Sequence, residues 1–319
     1  MRYFTRVWHP ERYQGHGRKQ RYFEGWYYKL VVPDQELAYA FIPGISMDEN
    51  GEQHAFIQVL DGVKAQSAYH RFPADQFRAA KDKLAVWIGD CYFGNQKMEI
   101  NLPHLKVKAD FIEAKPWPKQ LLSPGVMGWY GYIPGMQCYH GLVSLHHELR
   151  GQLSRGDKHY DLAGGIGYIE KDWGSSFPKA WVWMQSNHLE HPSPTSLMVS
   201  VADIPWLGTS FTGFLSTFFF DGELHTLATW TGAKVDLSIE PARVTVRLRD
   251  RHRELTVSGT PAPGGDLLSP LAGAMTGKIN ESLQAILDVQ FNLDGIVRYQ
   301  GKAHWAGLEV TDNAASMTS

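Results

Sequence analysis

Apolar and polar residues alternate with period two again and again along this chain, with almost no helical counterpart, and that pattern confines the fold to sheets. Val235, Leu237 and Ile239 alternate with Lys234, Asp236, Ser238 and Glu240, as a strand with one buried face requires. Ala242, Val244, Val246 and Leu248 repeat the pattern against Arg243, Thr245, Arg247 and Arg249, and residues 283–293 do so with Ile286 as the exception. In the N-terminal half, Tyr22–Val32, Leu37–Ile45, His54–Leu60, Leu84–Ile88, Met98–Leu102 and Val107–Ile112 read as strands separated by Gly, Pro and Asp-Gly turns. Only residues 74–83, after Pro73, and 123–130, with Ser123 as cap and Pro124 at the first position, predict short helices. Residues 262–270 predict a long loop.

A chain of 319 residues with this many strands exceeds one small barrel. The expectation is an all-β, mainly antiparallel protein of two barrel-like or sandwich modules, residues 1–158 and 159–319, divided in the polar Gly151 to Gly165 region. Hydrophobic residues make up 43% and charged residues 20%, enough apolar area to bury a core and to exclude disorder. Lys and Arg total 31 against 33 Asp and Glu, a balance that gives no field to attract nucleic acid. Cys91 and Cys138 are too few for a disulfide framework or a four-cysteine zinc site. The start, Met1-Arg2-Tyr3-Phe4, has no apolar signal core, and no run approaches the roughly 18 apolar residues of a membrane span, so a cytoplasmic location is expected. Arg2, Arg6, Arg12, Arg18, Lys19 and Arg21 precede position 22 with Glu11 as the sole acid. That run reads as a solvated arm, or as a weak contact to an anionic membrane surface.

Aromatic residues reach 13%, many beside Gly, a mixture suited to strands around an aromatic cavity that holds a hydrophobic small molecule. A strand over 180–188 places Trp181, Trp183, Gln185 and Asn187 on one face, either as a pocket wall or as barrel filling with amides at its rim. Tyr168, Glu170 and Asp172 share a face of another strand, with carboxylates roughly 7 Å apart at two strand rises. One of the two can stay protonated if the surroundings desolvate it; otherwise both are solvated and paired to Lys171 or Lys179. Glu24 lies between Tyr22, Trp26 and Tyr28 on a third such face, and is there either paired or poised. His140, His146, His147 and Glu148 lack a His-Glu-x-x-His spacing, so no metal is expected. Gly165-x-Gly167 has no third glycine, no phosphate-binding loop occurs, and Ser176-x-x-Lys179 lacks companion motifs, so no cofactor is expected either.

The segments Tyr22-Phe-Glu-Gly-Trp-Tyr27-Tyr-Lys29, Glu170-Lys-Asp-Trp-Gly174, Phe177-Pro178 and Trp181-x-Trp183-x-Gln185-x-Asn187, with Gly128-Trp129 and Pro134, resemble the motifs of the tocopherol cyclase family. The resemblance implies a lipocalin-like pair of modules akin to carotenoid hydratases. It further implies cofactor-free, acid-promoted addition of a hydroquinone hydroxyl across a prenyl double bond, which closes a chromanol ring. Trp26, Tyr28, Trp173, Trp181, Trp183, Gln185 and Asn187 are then expected to contact the substrate. Asp172 stands where the plant enzymes carry Asn, so among the candidate catalytic carboxylates Glu170 and Glu24 rank ahead of Asp172. A non-catalytic carrier of a lipophilic molecule fits the same cavity, and a carbohydrate-active protein fits Trp platforms with carboxylates at the spacing of inverting glycosidases.

Overall fold

Strand β1 (Tyr22–Val32) turns Tyr22, Glu24, Trp26, Tyr28 and Leu30 to one side, and every one of them is buried. A computed structural model describes residues 6–206 and 208–318; Arg2 lies outside them. The chain divides into two compact units, unit 1 from Met1–Val63, Ser67–Phe177 and Leu267–Lys278, and unit 2 from Lys64–Gln66, Pro178–Asp266 and Ile279–Ser319. Both are built from antiparallel sheet, and among the described residues no helix is long and apolar enough to cross a membrane.

In unit 1, β2 (Leu37–Met47), β3 (Gln53–Asp61) and β4 (Gln66–Pro73) run as a meander from β1. Five further strands, β5 (Phe77–Ala79), β6 (Ala85–Ile88), β7 (Cys91–Gly94), β8 (Lys97–Leu102) and β9 (Leu105–Ile112), form a second meander. The long β10 (Cys138–Arg155) continues it and folds back as β11 (Lys158–Asp161), so the Gly151 to Gly165 region is a hairpin of unit 1. β12 (Ile166–Gly174) then inserts between β1 and β10 and joins the two meanders into one sheet. Phe41 and Ile57 of the first meander share a core with Val86, Phe93 and Met98 of the second, so the sheet curls around its own apolar face.

Unit 2 follows the same logic with β13 (Trp181–Ser186), β14 (His188–Leu189), β15 (Ser196–Trp206), β16 (Thr209–Phe220), β17 (Glu223–Thr226), β18 (Lys234–Glu240), β19 (Arg243–Arg249), β20 (Arg253–Thr260) and β23 (Ile296–Val310), while β21 (Gly265–Leu271) and β22 (Ala274–Leu293) are shared, their residues 267–278 belonging to unit 1. Val182 and Met184 of β13 enter its core with Val199, Phe218, Val246 and Leu287.

Four expectations from the sequence are corrected. Residues 74–83 make only a 3-10 turn, Ala74–Gln76, because Phe77–Ala79 pair with β6. Residues 123–130 are mostly turn, and the short 3-10 segment there is Gly128–Tyr132. The stretch 262–270 is a loop only as far as 264, since β21 begins at Gly265 and pairs with β22. The basic arm is not free either: the backbone carbonyls of Pro10 and Arg12 accept bonds from the Lys171 ammonium, and that of Glu11 accepts from Trp26 Nε1 at 3.0 Å.

Candidate active site

The register of β12 decides which residues meet. Lys171 stands opposite Trp26 of β1 and Gly141 of β10, while Glu170 stands opposite Tyr27 and Leu142, and Asp172 opposite Gly25 and His140. The core face of β12 therefore carries Ile169, Lys171 and Trp173, and the other face carries Tyr168, Glu170 and Asp172.

On the core face, Glu24 is one half of a buried ion pair. Its carboxylate lies 2.5 Å from Lys171 Nζ. It also accepts the Gln14 backbone N–H at 2.9 Å on both oxygens, the Gly15 N–H at 3.0 Å, and the Tyr22 hydroxyl. Four donors making five contacts with the two oxygens hold Glu24 as an ionised acceptor, so the geometry removes it as an acid and makes it the anchor of the N-terminal segment. Burial pulls Lys171 below the ordinary lysine value against the opposing attraction of Glu24. Its ammonium lies 4.9 Å from the Trp26 ring centroid and 4.6 Å from that of Trp173. Trp26 is wholly buried, and Tyr28 packs against Phe93 and Phe111 and donates to the Gly94 carbonyl at 3.1 Å. Those two expected substrate contacts are core residues.

On the opposite face, Glu170 and Asp172 bracket a histidine. His140 Nδ1 is 2.9 Å from Asp172 Oδ1, and His140 Nε2 is 3.5 Å from Glu170 Oε2. Tyr168 donates to the same Glu170 oxygen at 2.6 Å. Burial opposes the charge on His140, but Asp172 and Glu170 together hold its pKa well above the ordinary histidine value. Burial and then Glu170 push the Tyr168 phenol far up, and burial and then Asp172 do the same to the Cys138 thiol. The side chains grade in exposure, 24% for Asp172, 13% for His140 and 6% for Glu170.

Neither Lys171 nor Lys179 is what pairs the two carboxylates. The histidine between them also brings one oxygen of each, with a ring nitrogen, within 4.8 Å of one another. That is closer than the roughly 6.5–9.5 Å an inverting glycosidase uses for its water, so the spacing does not match an inverting glycosidase. A donor set of two carboxylates and one imidazole at that spread is also one that a divalent cation can occupy.

A cavity of about 420 Å³ opens beside this cluster. His140, Tyr139, Trp173, Met127, Met136 and Pro10 are among its lining residues. Tyr139 stacks on Trp173 with centroids 5.4 Å apart and planes 9° from parallel. Gly141 makes room for that indole, since a Cβ there would sit 3.2 Å from both Trp173 Cζ3 and Pro10 Cβ. Of the expected substrate contacts in unit 1, Trp173 alone lines the cavity.

In unit 2, Trp181, Trp183 and Gln185 share the face of β13 turned away from its core, and all three are buried. Trp181 Nε1 donates to Glu309 at 2.6 Å, Gln185 Nε2 donates to Asn187 Oδ1 at 2.6 Å, and Asn187 Nδ2 donates to the Thr195 carbonyl at 3.1 Å. The Trp183 ring lies over Gly307, where a Cβ would come within 2.5 Å of it.

A family model described as tocopherol cyclase-like matches residues 114–311, and the chain belongs to that family. Membership makes a lipid-modifying enzyme the general class. Among solved structures, kievitone hydratase from Nectria haematococca is similar at 12% identity, over 91% of this chain and 88% of that one, with a TM-score of 0.46. A protein of unknown function of the DUF3598 family from Nostoc punctiforme is similar at 7% identity, over 91% of this chain and 95% of that one, with a TM-score of 0.18.

Proposed function

We propose that this protein is an acid catalyst that closes a ring on a prenylated hydroquinone or a related isoprenoid lipid, with Glu170 as the proton donor. The observation that carries the reading is the buried Tyr168–Glu170–His140–Asp172 chain, with His140 at a cavity floored by Trp173 and Tyr139. Protonation of a trisubstituted alkene leaves a carboxylate behind. The Tyr168 hydroxyl and the His140 imidazolium both face that oxygen, so they stabilise charge that appears only as the proton leaves. Asp172 keeps His140 charged and oriented. The substrate hydroxyl then adds to the tertiary cation, and its released proton returns to Glu170, so no proton, electron or other reactant is consumed.

The same buried surroundings keep bulk water from trapping the cation. Holding hydroxyl and alkene together supplies the advantage of an intramolecular reaction, worth several kcal/mol of barrier at about the scale of good effective molarities. The indoles and amides of Trp181, Trp183, Gln185 and Asn187 are proposed as a second substrate-contacting surface, on unit 2. The face that Trp181, Trp183 and Gln185 share on β13 and the mixed indole and amide chemistry support that role.

The test is turnover of a prenylated hydroquinone to its chromanol, followed by mass spectrometry. Glu170→Gln, with an unchanged melting temperature, loses turnover by a factor of about 10²–10⁴. The native enzyme keeps its rate in the presence of a chelator. Full turnover by Glu170→Gln removes the acid role, loss of turnover on chelation points instead to a cation at His140, Glu170 and Asp172, and a bound lipid recovered unchanged from every variant points to a carrier.

A further inference from the structure

The cavity beside His140 is electrically one-sided. Arg6, Arg18 and Arg21 line it, and among the described residues no Asp or Glu does. None of the three arginines makes an ion pair among the described residues, whereas Arg71, Arg155, Arg243, Arg247 and Arg253 each have a carboxylate partner. The protein as a whole carries a formal charge of -2, so three unneutralised guanidinium groups around one hollow are a local concentration against the overall sign. Much of the remaining lining is apolar or aromatic, with Met127, Met136 and Trp173 among it, beside the polar Gln14, His140 and Ser175. A cavity of about 420 Å³ is in the range that small-molecule ligands fill.

We infer that this cavity takes an anionic amphiphile, a molecule whose carboxylate or phosphate meets Arg6, Arg18 and Arg21 while its apolar body lies against Met127, Met136 and Trp173. Guanidinium groups suit both oxyanions because their planar donors match two oxygens at once. The substrate class narrows accordingly from a neutral prenyl lipid to one that bears an ionised acid group. The occupant is a substrate only if the acid reading above holds; its binding is read with saturated probes that cannot react.

The experiment is isothermal titration of decanoate, decyl phosphate and decanol into the full chain. Decanoate and decyl phosphate bind more tightly than decanol, and added salt weakens the two anions alone. In the Arg6→Gln/Arg18→Gln/Arg21→Gln variant the two anions lose about tenfold or more in affinity, the scale of a lost charged hydrogen bond, while decanol is unchanged. Arg18→Gln alone shows the same selectivity at smaller size if the triple variant does not fold. Met136→Trp, which fills the cavity, weakens all three probes.

Decanol binding as tightly as decanoate, anion binding unmoved in the arginine variants, or binding unmoved by Met136→Trp overturns the inference. So does an arginine variant that loses co-sedimentation with phosphatidylglycerol vesicles while keeping decanoate, since the charges then serve a membrane surface. A chain that binds decanoate in this way but turns over no prenyl substrate refutes the catalytic reading alone. One that cyclises a neutral prenylquinol equally well without the three arginines refutes the anionic substrate alone.

Discussion

His140 Nδ1 and Asp172 Oδ1 stand 2.9 Å apart, across facing positions of β10 and β12. With Glu170 on the other ring nitrogen, this contact holds the imidazole in its charged form against the cost of burial. The folded pKa lies above the unfolded one near 6.5, so the group contributes stability that is fully present below that pH and is lost as pH rises through the folded value. Asp172→Asn keeps an oxygen for His140 but removes the charge. Turnover of a prenylated hydroquinone should persist in this variant while the alkaline limb of its pH profile moves to lower pH. An unmoved limb would show that His140 protonation does not govern the reaction.

The Glu24–Lys171 pair makes a prediction about folding instead. Lys171→Met strands a buried carboxylate and should cost about 3–5 kcal/mol in denaturant unfolding. Adding Glu24→Gln removes the stranded charge and should recover part of that loss. If the double variant is no more stable than Lys171→Met, the pair is not energetically coupled.

His147 makes the opposite pH statement to His140. Burial, and then the charge of His146, bring its pKa down to about 3, with Nδ1 on the Ser144 hydroxyl at 2.9 Å and the ring against Phe111. Between pH 6.5 and about 3 the unfolded chain binds a proton that the folded chain refuses, so stability falls as pH drops through that window. His147→Gln should flatten the difference in unfolding free energy between pH 7 and pH 4. The same acid slope in both proteins would contradict the assignment.

The strands that the sequence shows most clearly are those with one buried face. β18 and β19 carry the Val235 and Val244 alternations, because the period of the side chains is the period of their burial. Residues 262–270 hid β21 because Pro and Gly suggest a turn, and the pairing with β22 that overrides them is a tertiary fact. The face shared by Tyr168, Glu170 and Asp172 was also legible. Its histidine was not, since His140 lies 32 residues before Asp172 and reaches it only through the β10–β12 register. Glu24 and Trp26 carried the correct alternation but an ambiguous meaning. Their role as ion pair and core follows from Lys171 standing across from Trp26, which no spacing within either segment specifies.

The central claim is that a proton passes from Glu170 to a prenyl carbon, and running the reaction in D2O with a prenylated hydroquinone tests it most directly. The account predicts one deuterium on the alkene carbon beside the new C–O bond in product made by the native enzyme, and a collapse of that labelled product in Glu170→Gln. Chromanol free of deuterium at that carbon, or labelled at the native rate by Glu170→Gln, would contradict it.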